Sequence, residues 1–562
     1  MCKVYERYAK KKTSLCLWRL SIRTSAACLH IRQAPIFRLE FVLGMFLEVA
    51  FGVVTPLFLY VIATYLDHLF KCRFYPPGPF PLPIIGNLHL IGKKPHEKFV
   101  EYSKKYGEVF SLSFGMHRVV IVSGKDSIRE VLVQKSNIFA GRPKNYIANI
   151  VSRGYKNIGY GDIGPKWKIL RKIAHSSLKN YGESTAHLET LVVRESEELH
   201  KNLYKKSNRS TKLEHKFGVA VLNVICSIVF GKRYEYENCE FKEILTYMNY
   251  VFTGVAGTNA ISFIPWLRFL PLDGLRKLKK GLSIRDPVLR KQLLYHRETY
   301  NESNLRDYTD YVIQFSRDEA ILKKFGEQLT DDYLELLLND IFIAGTETAL
   351  TTLLWSIIYL IHWPKFQDKI YNEIVSAIGK NRYPSMKDRN MLPLVNAALS
   401  ETLRLSSVTP LGVPHKAMED TTLLNDLKIP KGTTILTNLW QLHHNKNCWE
   451  NPHEFNPYRW FTNDQTLDSI KSMNFLPFSA GTRVCLGKGI AEVELFLFYS
   501  RLVRDFKFEV KPGDSLPSLY GNCGITLTPQ TFKTFVVARN DSLIASHENV
   551  SRSTEQFVNC FT

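Results

Sequence analysis

Cys485 stands in a setting that suits a metal-bound thiolate. A cysteine on its own is more often a small buried hydrophobe than a ligand. A thiolate ligand needs a close approach of the backbone, amide donors aimed at the sulfur and the N-terminus of a helix nearby. Gly481 and Gly487 permit the tight turn, a helical pattern starts near Gly489, and Phe478 can shield the sulfur from water. These neighbours predict that Cys485 is a metal ligand.

Five residues around this cysteine fit the pattern F-x-x-G-x-R-x-C-x-G at every fixed position: Phe478, Gly481, Arg483, Cys485 and Gly487. A chance match is on the order of one in ten thousand. On this segment the chain resembles the cytochrome P-450 superfamily of haem-thiolate monooxygenases, microsomal type. The resemblance implies haem b as cofactor and Cys485 as the axial ligand of its iron. It also implies that Arg483 neutralises a haem propionate and that Phe478 and Gly487 lie beside the cofactor.

A second motif lies some eighty residues upstream. Glu401 and Arg404 are three positions apart, which puts a carboxylate and a guanidinium on one helix face. Such a pair is most often a solvated surface ion pair. The resemblance implies instead a buried structural triad completed by Arg459. Trp460 stands where the family usually has Phe, a change that keeps an aromatic side chain.

A third segment supplies further candidates for haem binding. Trp167 and Arg171 are four residues apart, so both side chains point the same way from a helix. By itself Trp167 would be read as a core residue. The resemblance implies that this helix crosses the haem and that both side chains reach a propionate. His415 follows Pro414 and resembles a further propionate contact of some microsomal members.

The stretch of residues 344–349 resembles the family's oxygen-activating segment. A glycine inside a helix costs about 1 kcal/mol relative to alanine, so Gly345 needs a reason. The resemblance implies a local opening of the helix there, with Thr348 hydrogen-bonding dioxygen and Glu347 relaying protons. Ala349 departs from the usual Thr or Ser. Without the resemblance, the segment reads as a core helix with a back-bonded threonine and a surface glutamate.

Around these motifs the sequence predicts a mostly α fold with small β-sheets, the cytochrome P-450 fold, as a single large domain over residues 89–540. Helical patterns dominate, and strand-like runs occur at 109–113 and 119–123. The apolar run 341–363 is long enough to be taken for a membrane span. Because it contains Glu347 and Thr348, a buried core helix is the better interpretation.

An N-terminal membrane anchor is predicted ahead of this domain. Residues 49–66 carry no charge and have about the length of a bilayer's hydrocarbon core, so we place a transmembrane helix at 45–70. The proline-rich segment that follows cannot be helical and predicts a stiff hinge at 71–88. The polar residues 541–562 read as a disordered tail.

The first 44 residues form a basic extension with two interpretations. Their basic, acid-poor composition resembles a mitochondrial presequence, which makes a mitochondrial membrane one alternative. The positive-inside rule would also send the following domain across the membrane. Initiation at Met45 removes both problems and leaves the catalytic domain on the cytosolic side of the endoplasmic reticulum membrane. Ten scattered cysteines without a CxxC pair are consistent with a reducing compartment.

The formal charge of +21 indicates an acidic partner or a membrane surface, since no nucleic-acid-binding module is recognisable. The chain has neither a flavin-binding nor a nicotinamide-binding domain of its own. The resemblance therefore implies electrons from NADPH through a flavoprotein reductase, with cytochrome b5 as a second candidate donor. A basic patch suited to an acidic reductase is formed by Lys166, Lys168, Lys172 and Lys488.

Several segments look most like the steroid 17α-hydroxylase branch and its neighbours among drug- and aryl-hydrocarbon-oxidising microsomal enzymes. They include residues 414–417, 438–445, 264–267 and 516–519. The expected activity is insertion of one oxygen atom into a small apolar substrate, a steroid in the first instance. Alternatives are a xenobiotic, fatty-acid or aryl-hydrocarbon monooxygenase, a haem-thiolate isomerase that needs no reductase, and a haem sensor. The pair Glu347 and Thr348 disfavours the last two.

Overall fold

The structure, a computed structural model, describes residues 35–181, 185–326, 329–462 and 474–539. The chain divides into two units, Met1–Phe70 and Lys71–Thr562. The basic extension as far as residue 34 and the predicted tail 541–562 lie outside the described residues.

The described part of the first unit is helical. Helix α1 covers Pro35–Cys72 and includes the uncharged run 49–66. Its part Phe51–Cys72 is long and apolar enough to cross a membrane, and only 6% of its most apolar window is buried. Phe51, Leu57 and Phe58 are examples of large apolar side chains that are exposed here. Apolar exposure of this extent suits a lipid environment.

The second unit is mostly helical, and its elements follow in chain order. Its helices are α2 (Pro95–Tyr106), α3 (Lys125–Arg129), α4 (Tyr146–Val151), α5 (Pro165–Tyr181), α6 (Thr185–Tyr204), α7 (Glu214–Phe230), α8 (Cys239–Ala256), α9 (Asn259–Phe263), α10 (Asp273–Glu298), α11 (Tyr308–Ser316), α12 (Glu319–Phe325), α13 (Asp331–His362), α14 (Pro364–Ile378), α15 (Pro393–Ser406), α16 (Leu439–His443) and α17 (Lys488–Asp505). Its strands are β1 (Val109–Phe114), β2 (His117–Val122), β3 (Arg209–Thr211), β4 (His415–Lys416), β5 (Thr421–Leu423), β6 (Leu427–Ile429), β7 (Thr434–Thr437), β8 (Phe506–Glu509), β9 (Gly521–Cys523), β10 (Leu527–Pro529) and β11 (Thr534–Ala538). The predicted mostly helical fold with small sheets is confirmed.

The largest sheet among the described residues has the order β1-β2-β7-β4. Strands β1 and β2 are the two strand-like runs expected from the sequence, and they pair antiparallel from Val109 opposite Val122. Strand β2 runs parallel to β7, and β4 pairs with β7 so that His415 lies opposite Ile435. The sheet therefore fixes the backbone position of His415. A second sheet has the order β3-β11-β8, and β5-β6 and β9-β10 form separate pairs.

Helix α13 is the long helix of the core. Asp331 and Asp332 occupy its first turn, where negative charge is favourable, and it stops before Pro364, which begins α14. Its most apolar window is 61% buried, and it packs against α7, α17, α15 and α10. The apolar run 341–363 therefore belongs to a buried core helix, as the sequence predicted.

Candidate functional site

The loop that carries Cys485 is a tight turn directly ahead of α17. A 3₁₀ turn covers Gly481–Arg483, and α17 begins at Lys488. The Cys485 amide donates to Phe478 O at 3.0 Å, which closes the loop on itself. Gly481 has φ +68°, and a Cβ there would overlap Leu132 O. Glycine is needed at this position for both reasons.

The sulfur of Cys485 opens into a recess. Its side chain is exposed, yet burial is the main influence on the pKa of its thiol and raises it. Both observations are explained if the exposed side of the Cys485 side chain borders a space that is enclosed by protein. A hydrogen bond from the Gly487 amide and the charges of Arg171 and Lys488 act in the opposite direction and lower the pKa. Such donors and cations favour a thiolate.

Arg483 donates to three main-chain carbonyls, which leaves two of its five N–H groups for another acceptor. Its Nε donates to Ala140 O at 2.9 Å, its Nη1 to Ile158 O at 3.0 Å and its Nη2 to Gly161 O at 2.7 Å. The guanidinium lies 3.9 Å from the centre of the Trp167 ring. Trp167 donates through Nε1 to the same Ile158 O at 3.1 Å. Arg483 and Trp167 therefore form one unit through a shared acceptor.

Arg142 is a member of this cluster that the sequence reasoning missed. Its Nε donates to Gly159 O at 3.1 Å, and its Nη1 donates to Pro414 O at 2.8 Å. It lies in the segment Ala140-Gly141-Arg142-Pro143, and its side chain is buried. No pattern of residue types marked it, because its partners are main-chain carbonyls of distant segments.

Arg171 and His415 complete the group. Arg171 donates through Nη2 to Val484 O at 2.6 Å, on the peptide that leads into Cys485. His415 lies 2.8 Å from Phe139 O through Nδ1, and burial together with Arg142 lowers its pKa to about 3. The neutral ring donates Nδ1–H to that carbonyl. Its Nε2 becomes a donor only with a second proton, which a neighbouring anion would favour.

This cluster lacks negative charge. Burial, and then the like charges of Arg142 and Arg171, lower the pKa of Arg483 to about 8, and Asp162 opposes them. Because a guanidinium stays protonated in proteins, Arg483 carries its charge in a buried place beside two like charges. Asp162 is already paired with Lys416. An anionic group that entered here would relieve the repulsion among the cations.

One face of α13 is accessible although the helix is buried. Ala344 is exposed, and Glu347 and Thr348, three and four positions further on, are half-buried. This spacing puts the three residues on one side of the helix, which therefore borders an internal space. Thr348 Oγ1 donates to Ala344 O at 2.7 Å. Burial raises the pKa of Glu347, while a 3.3 Å hydrogen bond from Thr526 Oγ1 lowers it.

Gly345 has a packing reason in this structure. A Cβ at this position would come within 2.6 Å of Ile225 Cδ1 on α7, so the glycine permits close contact between the two helices. The helix is continuous across residues 344–349. The local opening expected beside Gly345 is absent from these described residues.

The side chains of Glu401, Arg404 and Arg459 lie together. Glu401 Oε1 accepts from Arg404 Nη2 at 2.8 Å and from Arg459 Nε at 2.9 Å, and its Oε2 accepts from Arg404 Nε at 2.9 Å. Trp460 Nε1 also donates to Glu401 Oε2, at 3.0 Å. Glu401 and Arg404 are fully buried. The tryptophan that replaces the usual phenylalanine thus adds a hydrogen bond to the carboxylate.

A buried histidine, also missed from the sequence, connects this group to the cysteine loop. Arg404 Nη1 donates to His443 O at 2.7 Å. Burial, and then Arg404, lower the pKa of His443 to about 3, so its ring is neutral. Its Nε2 accepts from Leu476 N at 3.1 Å, which leaves Nδ1–H to donate to Ser407 Oγ at 2.7 Å. Leu476 stands two residues before Phe478, so the triad supports the loop through one imidazole.

Comparison with known proteins identifies the family. The profile of the family described as Cytochrome P450 matches residues 76–536. The chain belongs to the cytochrome P450 family. It is 38% identical to a steroid 17-alpha-hydroxylase/17,20 lyase of Ictalurus punctatus over 83% of this chain and 90% of that protein. It is 34% identical to cytochrome P450 2U1 of Bos taurus, over 83% and 90% of the two chains.

A solved structure agrees with this assignment. A zebrafish cytochrome P450, determined with progesterone, has a TM-score of 0.71 and 36% sequence identity and covers 79% of this chain and 99% of that one. The resemblance and the fold predicted from the sequence are thereby confirmed, and the chain is a cytochrome P450 monooxygenase. The roles assigned to individual site residues remain predictions.

The residues fit the haem that the P450 family implies. The recess at Cys485 offers one sulfur with amide and cationic neighbours. Beside that loop lies a buried group of cations short of negative charge, as the two propionates of a haem would require. Cys485 would hold the iron, and Arg483, Arg142, Arg171 and His415 would hold the propionates. Trp167 does not fit the propionate contact expected from the sequence, because its single N–H already donates to Ile158 O.

Replacing Glu401 tests the buried triad. In Glu401→Gln the guanidinium of Arg404 stays buried without its counter-charge, which should destabilise the fold by about 3–5 kcal/mol. We expect a large loss of folded haem protein and faster thermal loss of the thiolate-type spectrum of its carbon monoxide complex. Glu237→Gln is the matched control, because Glu237 forms an exposed ion pair with Lys242. Equal thermal behaviour of the two variants would contradict a supporting role for the triad.

Proposed function

We propose that this cytochrome P450 inserts one oxygen atom of O2 into a small apolar substrate, a steroid in the first instance. The observation that carries the proposal is the half-buried pair Glu347 and Thr348 on the accessible side of a mostly buried helix. Haem b, when bound, supplies the activation of dioxygen. In this proposal Cys485 would hold the haem iron through its thiolate sulfur.

Proton delivery would fall to α13. The Thr348 hydroxyl, which now donates to Ala344 O, can rotate to donate into the internal space beside it. Glu347 can pass a proton to this space, because burial raises its pKa towards neutrality. The Thr526 hydroxyl orients that carboxylate. A monooxygenase needs this supply, whereas an isomerase or a sensor does not.

Electrons would come from NADPH through a flavoprotein reductase, with cytochrome b5 as a second candidate donor. Lys166, Lys168, Lys172 and Lys488 are exposed. The first three project from α5, whose Arg171 contacts the cysteine loop, and the fourth follows that loop directly. A basic patch on this side would steer an acidic partner to within short range of the haem.

Support for a steroid substrate comes from the relatives. Steroid 17-alpha-hydroxylase/17,20 lyases of Ictalurus punctatus and Oryzias latipes are 38% and 37% identical to this chain. Oxidation of a xenobiotic, fatty acid or aryl hydrocarbon is the second candidate, as the sequence resemblance left open. The chain also matches relatives that are not named as steroid hydroxylases, cytochrome P450 2U1 of Bos taurus at 34% and cytochrome P450 1A1 of Opsanus tau at 36%.

For location we propose the endoplasmic reticulum membrane, with α1 as the anchor at 45–70, a hinge at 71–88 and the catalytic domain at 89–540 in the cytosol. The exposed apolar stretch Phe51–Cys72 supports an anchor. Initiation at Met45 would give this topology, and peptides from residues 1–40 in the native protein would rule out that start.

Spectroscopy with added steroid tests the proposed function. Progesterone should displace the water on ferric iron and shift the haem absorbance. Added reductase and NADPH should then yield a product heavier by one oxygen atom. Cys485→Ser is the control and should lose the thiolate-type spectrum of the carbon monoxide complex. A thiolate-type spectrum in Cys485→Ser would overturn the ligand assignment, and lack of response to any steroid would favour the second candidate.

Removing the hydroxyl of Thr348 tests proton delivery. In Thr348→Ala we expect NADPH consumption to continue while product per NADPH falls at least about tenfold, because general acid catalysis of this kind contributes large factors. Peroxide should account for the lost electrons. Thr348→Ser keeps the hydroxyl and should restore most of the coupling. Equal coupling in the wild type and Thr348→Ala would exclude this role.

Charge reversal tests the basic patch. The double change of Lys168→Glu and Lys172→Glu should slow reduction by the flavoprotein about two- to tenfold at low ionic strength and less at high salt, since the attraction is screened. Steroid-induced spectral shifts should stay unchanged. Lys179→Glu is the control, because Lys179 is exposed at the far end of the same helix. Reduction rates equal to those of the control would exclude the patch.

A further inference from the structure

Residues 157–161, the loop between α4 and α5, have polar groups that point in two opposite directions. Their carbonyls at Ile158, Gly159 and Gly161 accept from the site cations Arg483 and Arg142. Their amides at Ile158 and Gly159 donate to a carboxylate on α13. The loop therefore connects the long helix to the cations assigned to the haem propionates.

Asp340 is the carboxylate that this loop contacts. Its Oδ1 accepts from Asn157 Nδ2 at 2.7 Å. Its Oδ2 accepts from Ile158 N at 2.7 Å and from Gly159 N at 3.3 Å. Asp340 lies two turns before Glu347, and no function assigned above uses it. Burial raises its pKa to about 6, and these hydrogen bonds lower it in opposition.

One peptide unit lies between Asp340 and Arg483 and is hydrogen-bonded to both. The amide of Gly159 donates to Asp340, and the carbonyl of the same planar peptide, Ile158 O, accepts from Arg483 Nη1 and Trp167 Nε1. In a trans peptide the N–H and the C=O point in opposite directions. A negative charge on the amide side therefore polarises the carbonyl that the cations contact.

The turn itself is built for this contact. Asn157 O accepts from Gly161 N at 3.0 Å, and Asn157 Oδ1 accepts from Tyr160 N at 3.0 Å. A Cβ on Gly161 would overlap Asn157 O, so the turn requires glycine there. Asn157 closes the turn. The Asp340 carboxylate then sets the direction in which the carbonyls of loop 157–161 point.

From this geometry we propose that Asp340 is a positioning residue for haem binding. It orients loop 157–161 so that its carbonyls hold Arg483 and Arg142 ready for the propionates. Asp340 makes no direct contact with these two side chains in the described structure, so its effect passes through the peptide groups. The inference rests on the proposed haem site.

The rate of haem loss tests this proposal. The full-length protein is loaded with haem, and transfer of haem to excess apomyoglobin is followed by absorbance. Asp340→Asn should release haem about tenfold faster than the wild type. This is a typical effect of losing a residue that positions the binding side chains without touching the cofactor itself. Asp331→Asn is the matched control, because Asp331 lies on the same helix and pairs with Arg297 of α10. It should release haem at the wild-type rate.

A double-mutant cycle separates positioning from general stability. Arg142→Lys retains the cation but lacks the Nε–H that contacts Gly159 O. If Asp340 acts through the loop, Asp340→Asn should accelerate haem loss much less in the Arg142→Lys background than in the wild type. A change that only weakens the fold would act additively in both backgrounds.

Three outcomes overturn the proposal: a wild-type rate of haem loss in Asp340→Asn, an equal acceleration in Asp331→Asn, or additivity with Arg142→Lys. Should Asp340→Asn fail to fold, Asn157→Asp decides by the same criteria, since it keeps an Oδ1 that accepts from Tyr160 N and removes the Nδ2 donor to Asp340. A wild-type protein that gave no thiolate-type carbon monoxide spectrum would instead refute the haem site itself.

Discussion

The buried carboxylate of Glu401 is the interaction on which the rest of the site depends. It accepts hydrogen bonds from Arg404, Arg459 and Trp460 at a fully buried position. A buried ion pair of this kind stabilises little by itself, but losing one member is costly. Its value is geometric, because Arg404 also holds His443 O, and the His443 ring accepts from the backbone that enters the cysteine loop. The sulfur of Cys485 is thus positioned from residues more than forty positions away in sequence.

Much of this arrangement could be predicted from residue types at short spacing. The cysteine pattern, the pair Glu401 and Arg404, and the two strands at 109–122 are local signals, and the helical content followed from periodicity. Arg142 and His443 escaped prediction because their partners are main-chain carbonyls and amides of distant loops. A carbonyl has no sequence signature, so contacts of this kind become visible only in the folded chain.

The presence of a glycine at position 345 inside α13 can be explained in two ways. At the level of the sequence, the family resemblance implied a local opening of the helix at this glycine. In the structure the helix is regular, and the missing side chain lets Ile225 of α7 approach. The accessible face of α13 is instead the side that carries Ala344, Glu347 and Thr348. Gly345 therefore lies on the side of α13 that packs against α7, whereas Ala344, Glu347 and Thr348 lie on the accessible side.

The shortage of negative charge around Arg483 has a consequence for folding. Three guanidinium groups lie in or near a buried site whose carboxylate, that of Asp162, already pairs with Lys416. Carbonyl dipoles offset part of the repulsion, and an anionic cofactor would offset more. A ligand that binds only the folded state stabilises it by mass action. Haem bound at this site would therefore stabilise the folded protein.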